Sequence, residues 1–256
     1  MRHVFLHGPV LLWLGLLTAL APPLARPARA AEIQVLSGGA LEPGLEVAMQ
    51  NFRSTSGQGV RIAYATAPRI RERLLNGEAP DLLIAPQAFL DEMVQENRVT
   101  GVPVPLGRVG VGMVARLGVA VSPIETAEGL RLALGQAQAV VFNRASTGLY
   151  LERLFDRLGM TAVVAPKARR YATGAEVMEH LLRGSGAELG FAAITEIRMV
   201  RELRYIGPLP PELQSYTLYG AALLPDGPAT AEVLLRWLTG PEARGAFEAA
   251  GIEAPR

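Results

Sequence analysis

The sequence has no cysteine. Disulfides are therefore excluded, and so are a thiol nucleophile and a cysteine-borne lipid anchor. Histidine is nearly missing too. There are three, and His3 and His7 fall in the first few residues, so only His180 stands in the body of the chain. Without cysteine, and with no clustered carboxylates, there is no metal-ligand set of usual spacing and no Ser–His pair. Lysine is reduced to Lys167, the positive charge being otherwise arginine, and aromatics make up only 6% of residues. No dinucleotide or P-loop fingerprint occurs; the glycines of 107–112 lack the required spacing.

One long apolar run is present, at the N-terminus. Arg2 precedes VLLWLGLLTALA (10–21), which stops at Pro22-Pro23, and Ala28-Arg29-Ala30 follows. A charged start, an apolar centre too short to span a bilayer and small residues at the end predict a secretory signal peptide over 1–30, cleaved after Ala30. A periplasmic location is the expectation. Cleavage would remove Arg2, Arg26 and Arg29 and leave 22 basic residues against 24 acidic ones. That balance argues against a nucleic-acid partner. The roughly 226 residues remaining are ample for one or two cores.

The rest alternates strand and helix patterns. Apolar strands are expected at 33–36, 60–64, 82–84, 109–115, 139–142, 189–192 and 216–224. Helical stripes lie between them, for example Leu45, Ala48, Met49 and Phe52, or Leu151, Leu154 and Phe155. Pro68 opens one helix; Thr126, Ser146 or Thr147, and Thr173 are candidate caps for others. This alternation predicts an α/β fold with largely parallel sheets. The two long strands, 109–115 and 216–224, bracket about a hundred residues and read as crossovers between two lobes: 31–109 with 219–256, and 110–218.

Ligands of such folds bind beyond the carboxyl ends of strands, at helix starts, where unpaired N–H groups carry partial positive charge. Four loops have this character: Ser37-Gly38-Gly39-Ala40, Thr66-Ala67-Pro68-Arg69, Arg144-Ala145-Ser146-Thr147-Gly148 and Thr173-Gly174-Ala175. Each alone can be simple capping; four converging would form an oxyanion site. Arg69 sits in a first helical turn, where a cation is electrostatically misplaced; it either reaches a bound anion or is a solvated member of the cluster Arg69, Arg71 and Arg73, and Arg144 is read the same way. His180 falls on a helix face away from Val177 and Leu181 and reads as exposed. Glu188 and Glu196 flank the 189–192 strand and read first as surface groups, second as acid–base candidates.

The segments IQVLSGGAL, NGEAPDLLIAP, STGLYLERLFDRLGM and AELGFAAITEI, in this order and spacing, resemble the molybdate-binding proteins of bacterial ABC importers. The resemblance covers essentially all of the chain after the leader. It implies a type II periplasmic-binding fold: two α/β lobes with mixed, mostly parallel sheets joined by two crossing strands. It also implies a monomer that docks on an inner-membrane ABC permease and needs no cofactor or metal. The resemblance places the ligand near Gly39-Ala40, Thr66-Ala67, Thr147 and Ala175; with the helix-start reading, the residues expected to meet a small oxyanion or carboxylate are Ser37, Gly38, Gly39, Ala40, Thr66, Arg69, Ser146, Thr147 and Ala175. The chain departs from the molybdate pattern at Ala40, at Thr66-Ala67-Pro68-Arg69 and at Ala193, where serines and a tyrosine stand in that family. SGGAL, VPLGRVGVGMVARLG and IGPLPPELQSYTLYGAAL resemble a subgroup that includes aconitate isomerase. That subgroup implies a tricarboxylate ligand and keeps an isomerase as the alternative to a binding protein.

Overall fold

Apolar pentapeptides start the folded unit. Strand β1 (Ile33–Ser37) is buried at four of five positions, β2 is Val60–Tyr64 and β3 is Leu82–Pro86. The computed structural model describes residues 32–255. The expected signal peptide, 1–30, lies outside the described residues. Among the described residues, no helix is long and apolar enough to cross a membrane.

Helix α1 (Glu42–Ser56) follows β1 through a 3-10 turn at Gly39–Leu41; its 3.6-residue apolar stripe ends at Gly57, held in the left-handed conformation (φ 69°). Helices α2 (Ala67–Leu75) and α3 (Gln87–Gln95) follow β2 and β3. The long strand β4 (Thr100–Arg116) leads to α4 (Ala127–Gln136), β5 (Ala139–Asn143), α5 (Ser146–Arg157), the single turn α6 (Thr161–Val164), β6 (Ala168–Tyr171) and α7 (Gly174–Arg183). Then come β7 (Glu188–Ala193), α8 (Ile194–Met199), β8 (Leu203–Pro208), β9 (Tyr216–Leu223), α9 (Ala229–Leu238) and α10 (Pro241–Ala249). The elements α6, β6, α8 and β8 are too short or too polar to show a period, and the sequence pattern misses them.

Strand order is β2-β1-β3-β9-β4-β7-β5-β6, with β8 also on β4. Parallel pairing joins β1 to β2 and β3, and β5 to β6 and β7; every pair made by β4 or β9 is antiparallel. Strand β4 belongs to both halves: up to Gly110 it pairs with β9, and from Val111 on with β7 and β8. Helices cover both faces of each half. Leu45, Met49, Phe52, Leu234 and Phe247 pack on one face of the β1–β3 half, and Ile70, Phe89, Leu90 and Met93 on the other. In the β5–β7 half, Leu130, Leu151 and Phe155 lie on one face, and Val177, Leu181 and Ile197 on the other. Each fully buried Leu, Ile or Phe contributes roughly 1.5–3 kcal/mol.

Gly112 in β4 sets the seat of α8. A Cβ there would stand 3.0 Å from Ile194 Cγ1 and from Ile197 Cδ1. Only the missing side chain lets this short helix lie on the strand. From that seat Thr195, fully buried, donates a 2.6 Å hydrogen bond to the Ala40 carbonyl, tying α8 to the turn after β1.

Candidate functional site

Parallel pairing brings the carboxyl ends of β1 and β2 to one side, and likewise those of β5, β6 and β7. The 3-10 turn at Gly39, α2, α5, α7 and α8 all begin directly after these strand ends. Between the helix starts lies a cleft of three connected compartments. The inner one, about 40 Å³, is lined by Gly38, Gly39, Ala40, Thr66, Asn143, Ser146, Thr147, Glu196 and Tyr219, among others. The middle one, about 290 Å³, shares Gly39, Thr66 and Glu196 and adds Glu42, Tyr64, Ala175, Met178, Met199 and Val200. The outer one, about 420 Å³, opens past Tyr64 and Thr173 to Arg69, Glu72 and Arg73.

Several helix starts are already capped from within the chain. Thr173 Oγ1 accepts from Glu176 N at 3.1 Å and so caps α7, while Glu176 Oε2 accepts from Ala172 N, just before the cap, at 2.9 Å. At α5 the cap is Asn143, whose Oδ1 accepts from Ala145 N (3.0 Å) and Gly148 N (3.1 Å). Its carbonyl also passes close to Gly148, where any Cβ would collide. At α8, Glu196 Oε2 accepts from Ala193 N at 3.3 Å; Ala193 has no side-chain acceptor to complete the exchange.

Glu196 is the unusual group of the cleft. Its carboxyl fits a notch left by two glycines at helix starts. A Cβ on Gly39 would lie 3.3 Å from Oε1, and one on Gly174 would lie 2.2 Å from Oε2. Burial pushes the carboxyl up to about 7, helped by the charge of Glu42 and opposed by the Ala193 N–H. Glu42 is itself raised, first by burial and then by Glu46. Beside Glu196, Tyr219 shares a hydrogen bond with the Ser146 side chain and packs its ring on Gly38; burial, and secondarily the charge of Glu196, raises its phenol. Tyr64 is raised by burial and by its 2.8 Å hydrogen bond to Glu46 Oε1. Among the described residues, no Lys, Arg or His lines the inner or middle compartment. Among the described residues no group of three or more His, Asp or Glu side chains is placed to hold a metal ion.

Residues 33–253 match the model of one protein family, the bacterial extracellular solute-binding proteins. The chain belongs to this family. Aconitate isomerase of a Pseudomonas species is 29% identical to this solute-binding protein over 252 residues, 94% of either chain. The periplasmic molybdate-binding protein of Azotobacter vinelandii superposes with a TM-score of 0.74 at 18% identity, over 88% of this chain and 100% of that one. PEB3 of Campylobacter jejuni, solved with L-phospholactate bound, superposes with a TM-score of 0.67 at 10% identity, over 88% and 100%. These likenesses give the fold of a periplasmic binding protein, as the sequence resemblance implied.

Most of the site residues expected from sequence come together. Gly38, Gly39, Ala40, Thr66, Ser146 and Thr147 meet in the inner compartment of this solute-binding protein, and Ala175 lies in the middle one. Two do not join them. Ser37 is fully buried beneath the cleft, its hydroxyl turned to the Gly38 carbonyl at 3.2 Å, because as the last residue of β1 it points into the sheet packing. Arg69 stays in the outer compartment, where Glu72, one helical turn on, holds it at 2.6 Å. Ser146 and Thr147 are not caps, since Asn143 does that work. His180 is not exposed: Tyr171 Oη meets its Nδ1 at 2.7 Å and Glu188 Oε1 its Nε2 at 3.3 Å. Glu188, also paired to Arg116 at 2.8 Å, belongs to that network and not to the cleft. Glu196, read first as a surface group, is the cleft acid. The signal for it was Ile194 and Ile197 on either side, one turn apart and both packed inward.

Proposed function

We propose that this solute-binding protein captures a small oxyanion or organic carboxylate in the periplasm and presents it to an inner-membrane ABC permease. One observation carries the ligand class: four helix starts and the turn at Gly39 converge on a cleft whose inner and middle compartments are lined by no basic side chain among the described residues. Such a site attracts an anion through backbone N–H groups and hydroxyls, and leaves it free to be released. The residues proposed to meet it are Gly38, Gly39, Ala40, Thr66, Ser146, Thr147 and Ala175, with Arg69 at the entrance. The family membership and the names of the relatives support this reading. We take 31–109 with 219–256 and 110–218 as lobes that close around the ligand, hinged where β4 passes from β9 to β7 and β8. The working form is a monomer released by cleavage after Ala30.

A thermal-shift and calorimetry panel of molybdate, tungstate, sulfate and di- and tricarboxylates tests this. A ligand at a hundred times its Kd adds about 2.7 kcal/mol. For a chain of this size that raises Tm by roughly 5–11 °C. No shift and no heat across the panel would refute the reading.

Glu196 favours a second reading, isomerisation of an unsaturated tricarboxylic acid. A carboxyl poised near neutrality inside a ligand cleft is a competent acid–base group. In an allylic shift it would take a proton from the CH2 carbon; the released electron pair forms the new double bond as the old one opens, and the proton returns at the far carbon. The Pseudomonas relative's name gives this reading its substrate. Proton NMR of cis- and trans-aconitate with the protein in D2O decides. Interconversion that Glu196→Gln abolishes supports it, and no exchange over hours rejects it.

A further inference from the structure

The helix starts attract an anion, yet the cleft already contains an acid. Glu196 stands between the turn at Gly39 and the head of α7 at Gly174, where backbone dipoles would hold a ligand oxygen. Glu42 on α1 adds a second carboxylate to the middle compartment, and among the described residues no basic side chain there offsets either. Two anionic oxygens in contact at such a site repel strongly unless a proton lies between them. The ionisable groups facing Glu196 supply none at neutral pH. Glu42 adds negative charge, and Tyr64 of β2 and Tyr219 of β9 hold phenols raised above their ordinary range. Arg198 on the same helix as Glu196 stacks on the Tyr205 ring at 5.4 Å instead. Helix α7 presents Gly174, Ala175 and Met178 on this side.

The middle compartment adds a size argument. Its 290 Å³ is far more than a tetrahedral oxyanion fills, and Met178, Met199 and Val200 give it an apolar wall. A ligand with a carbon skeleton covers that wall while an acid group reaches the helix starts.

We infer that Glu196 sets the ligand class of this cleft: the protein takes up an organic carboxylate together with one proton, which Glu196 holds and donates to a ligand oxygen. The inference rests on the anion-receptor reading above. Its proton balance is closed, since one proton moves from solvent to the Glu196 carboxyl and no covalent bond to carbon changes. A carboxyl already close to half protonated at neutral pH makes that uptake easy.

The test is isothermal titration of the full mature protein with trans-aconitate, and with molybdate as the inorganic comparison, between pH 6 and 8.5 in buffers of different ionisation enthalpy. The expected result is uptake of about half a proton at pH 7, rising toward one at pH 8.5, with Kd weakening up to tenfold per pH unit above 7. Trans-aconitate should bind at least tenfold tighter than molybdate. Glu196→Gln should still bind, with a flat pH profile and no proton uptake. Binding by the wild-type protein without proton uptake overturns the inference and leaves the receptor reading standing. Equal or tighter binding of molybdate, or tighter binding of a diamine such as putrescine, also overturns it. Absence of heat for every probe in both proteins removes both readings at once.

Discussion

Glu196 should make the ligand-free protein less stable as pH rises, and Glu196→Gln should abolish that loss. In the folded chain burial holds the carboxyl at about 7, against an ordinary value of 4.5. Between these pH values the native state keeps a proton that the unfolded chain has released. Stability therefore falls with rising pH across this window, by about 1.4 kcal/mol per unit. The loss is about 3 kcal/mol in total; it is absent below about 4.5 and constant above about 7. Glutamine carries no proton equilibrium in either state, and its side-chain oxygen can still accept from Ala193 N. The variant and the wild type should thus have similar stability at pH 4.5. At pH 8 the variant should be more stable by about 3 kcal/mol, or roughly 6–12 °C in Tm. The remaining carboxylates are common to both proteins and, apart from Glu42, whose charge acts on Glu196, cancel in the difference. Urea denaturation of both proteins at pH 4.5, 6, 7 and 8 measures it. A difference that does not change with pH, or that grows toward acid, would refute the placement of Glu196 in a desolvated notch.

Three further outcomes follow from named contacts. Gly174→Ala places a Cβ 2.2 Å from Glu196 Oε2 and should cost about 1–3 kcal/mol, with most of the loss recovered on a Glu196→Ala background; additive losses in the denaturation cycle would show that the two residues do not meet. Thr195→Val removes the buried donor to the Ala40 carbonyl and should cost about 1–3 kcal/mol, whereas Thr195→Ser should keep most of that stability in the same urea titration. Asn143→Ala uncaps α5 and should cost about 1–2 kcal/mol in the same assay, and an unchanged midpoint would contradict the capping role drawn from its two N–H contacts.

Much of the fold was legible because it rests on local regularities. Apolar stripes marked α1, α5 and α7, short apolar runs marked β1, β3 and β5, and helix-start chemistry picked out Gly38 to Ala40, Thr66 and Ser146-Thr147. Thr126 and Thr173 cap where their position suggested. Roles that depend on a distant partner were not legible. Asn143 displaced Ser146 and Thr147 as the cap of α5 because the strand before the helix ends with that side chain facing the helix head. His180 lost its expected exposure to Tyr171 and Glu188, which approach it from strands β6 and β7.

By itself the sequence determined an exported-type leader pattern, strand–helix alternation, the lack of thiols, and a set of small, hydroxyl-rich helix starts. These are properties of short segments, and periodicity and composition report them directly. Only the tertiary structure decided that Glu196 goes inside. The physical reason is packing: Gly112 lets a six-residue helix settle on β4, and Gly39 and Gly174 leave the space that its third residue fills. Those contacts join positions far apart in the chain, and together they turn a glutamate with an unremarkable sequence setting into a cleft acid whose carboxyl is raised by burial.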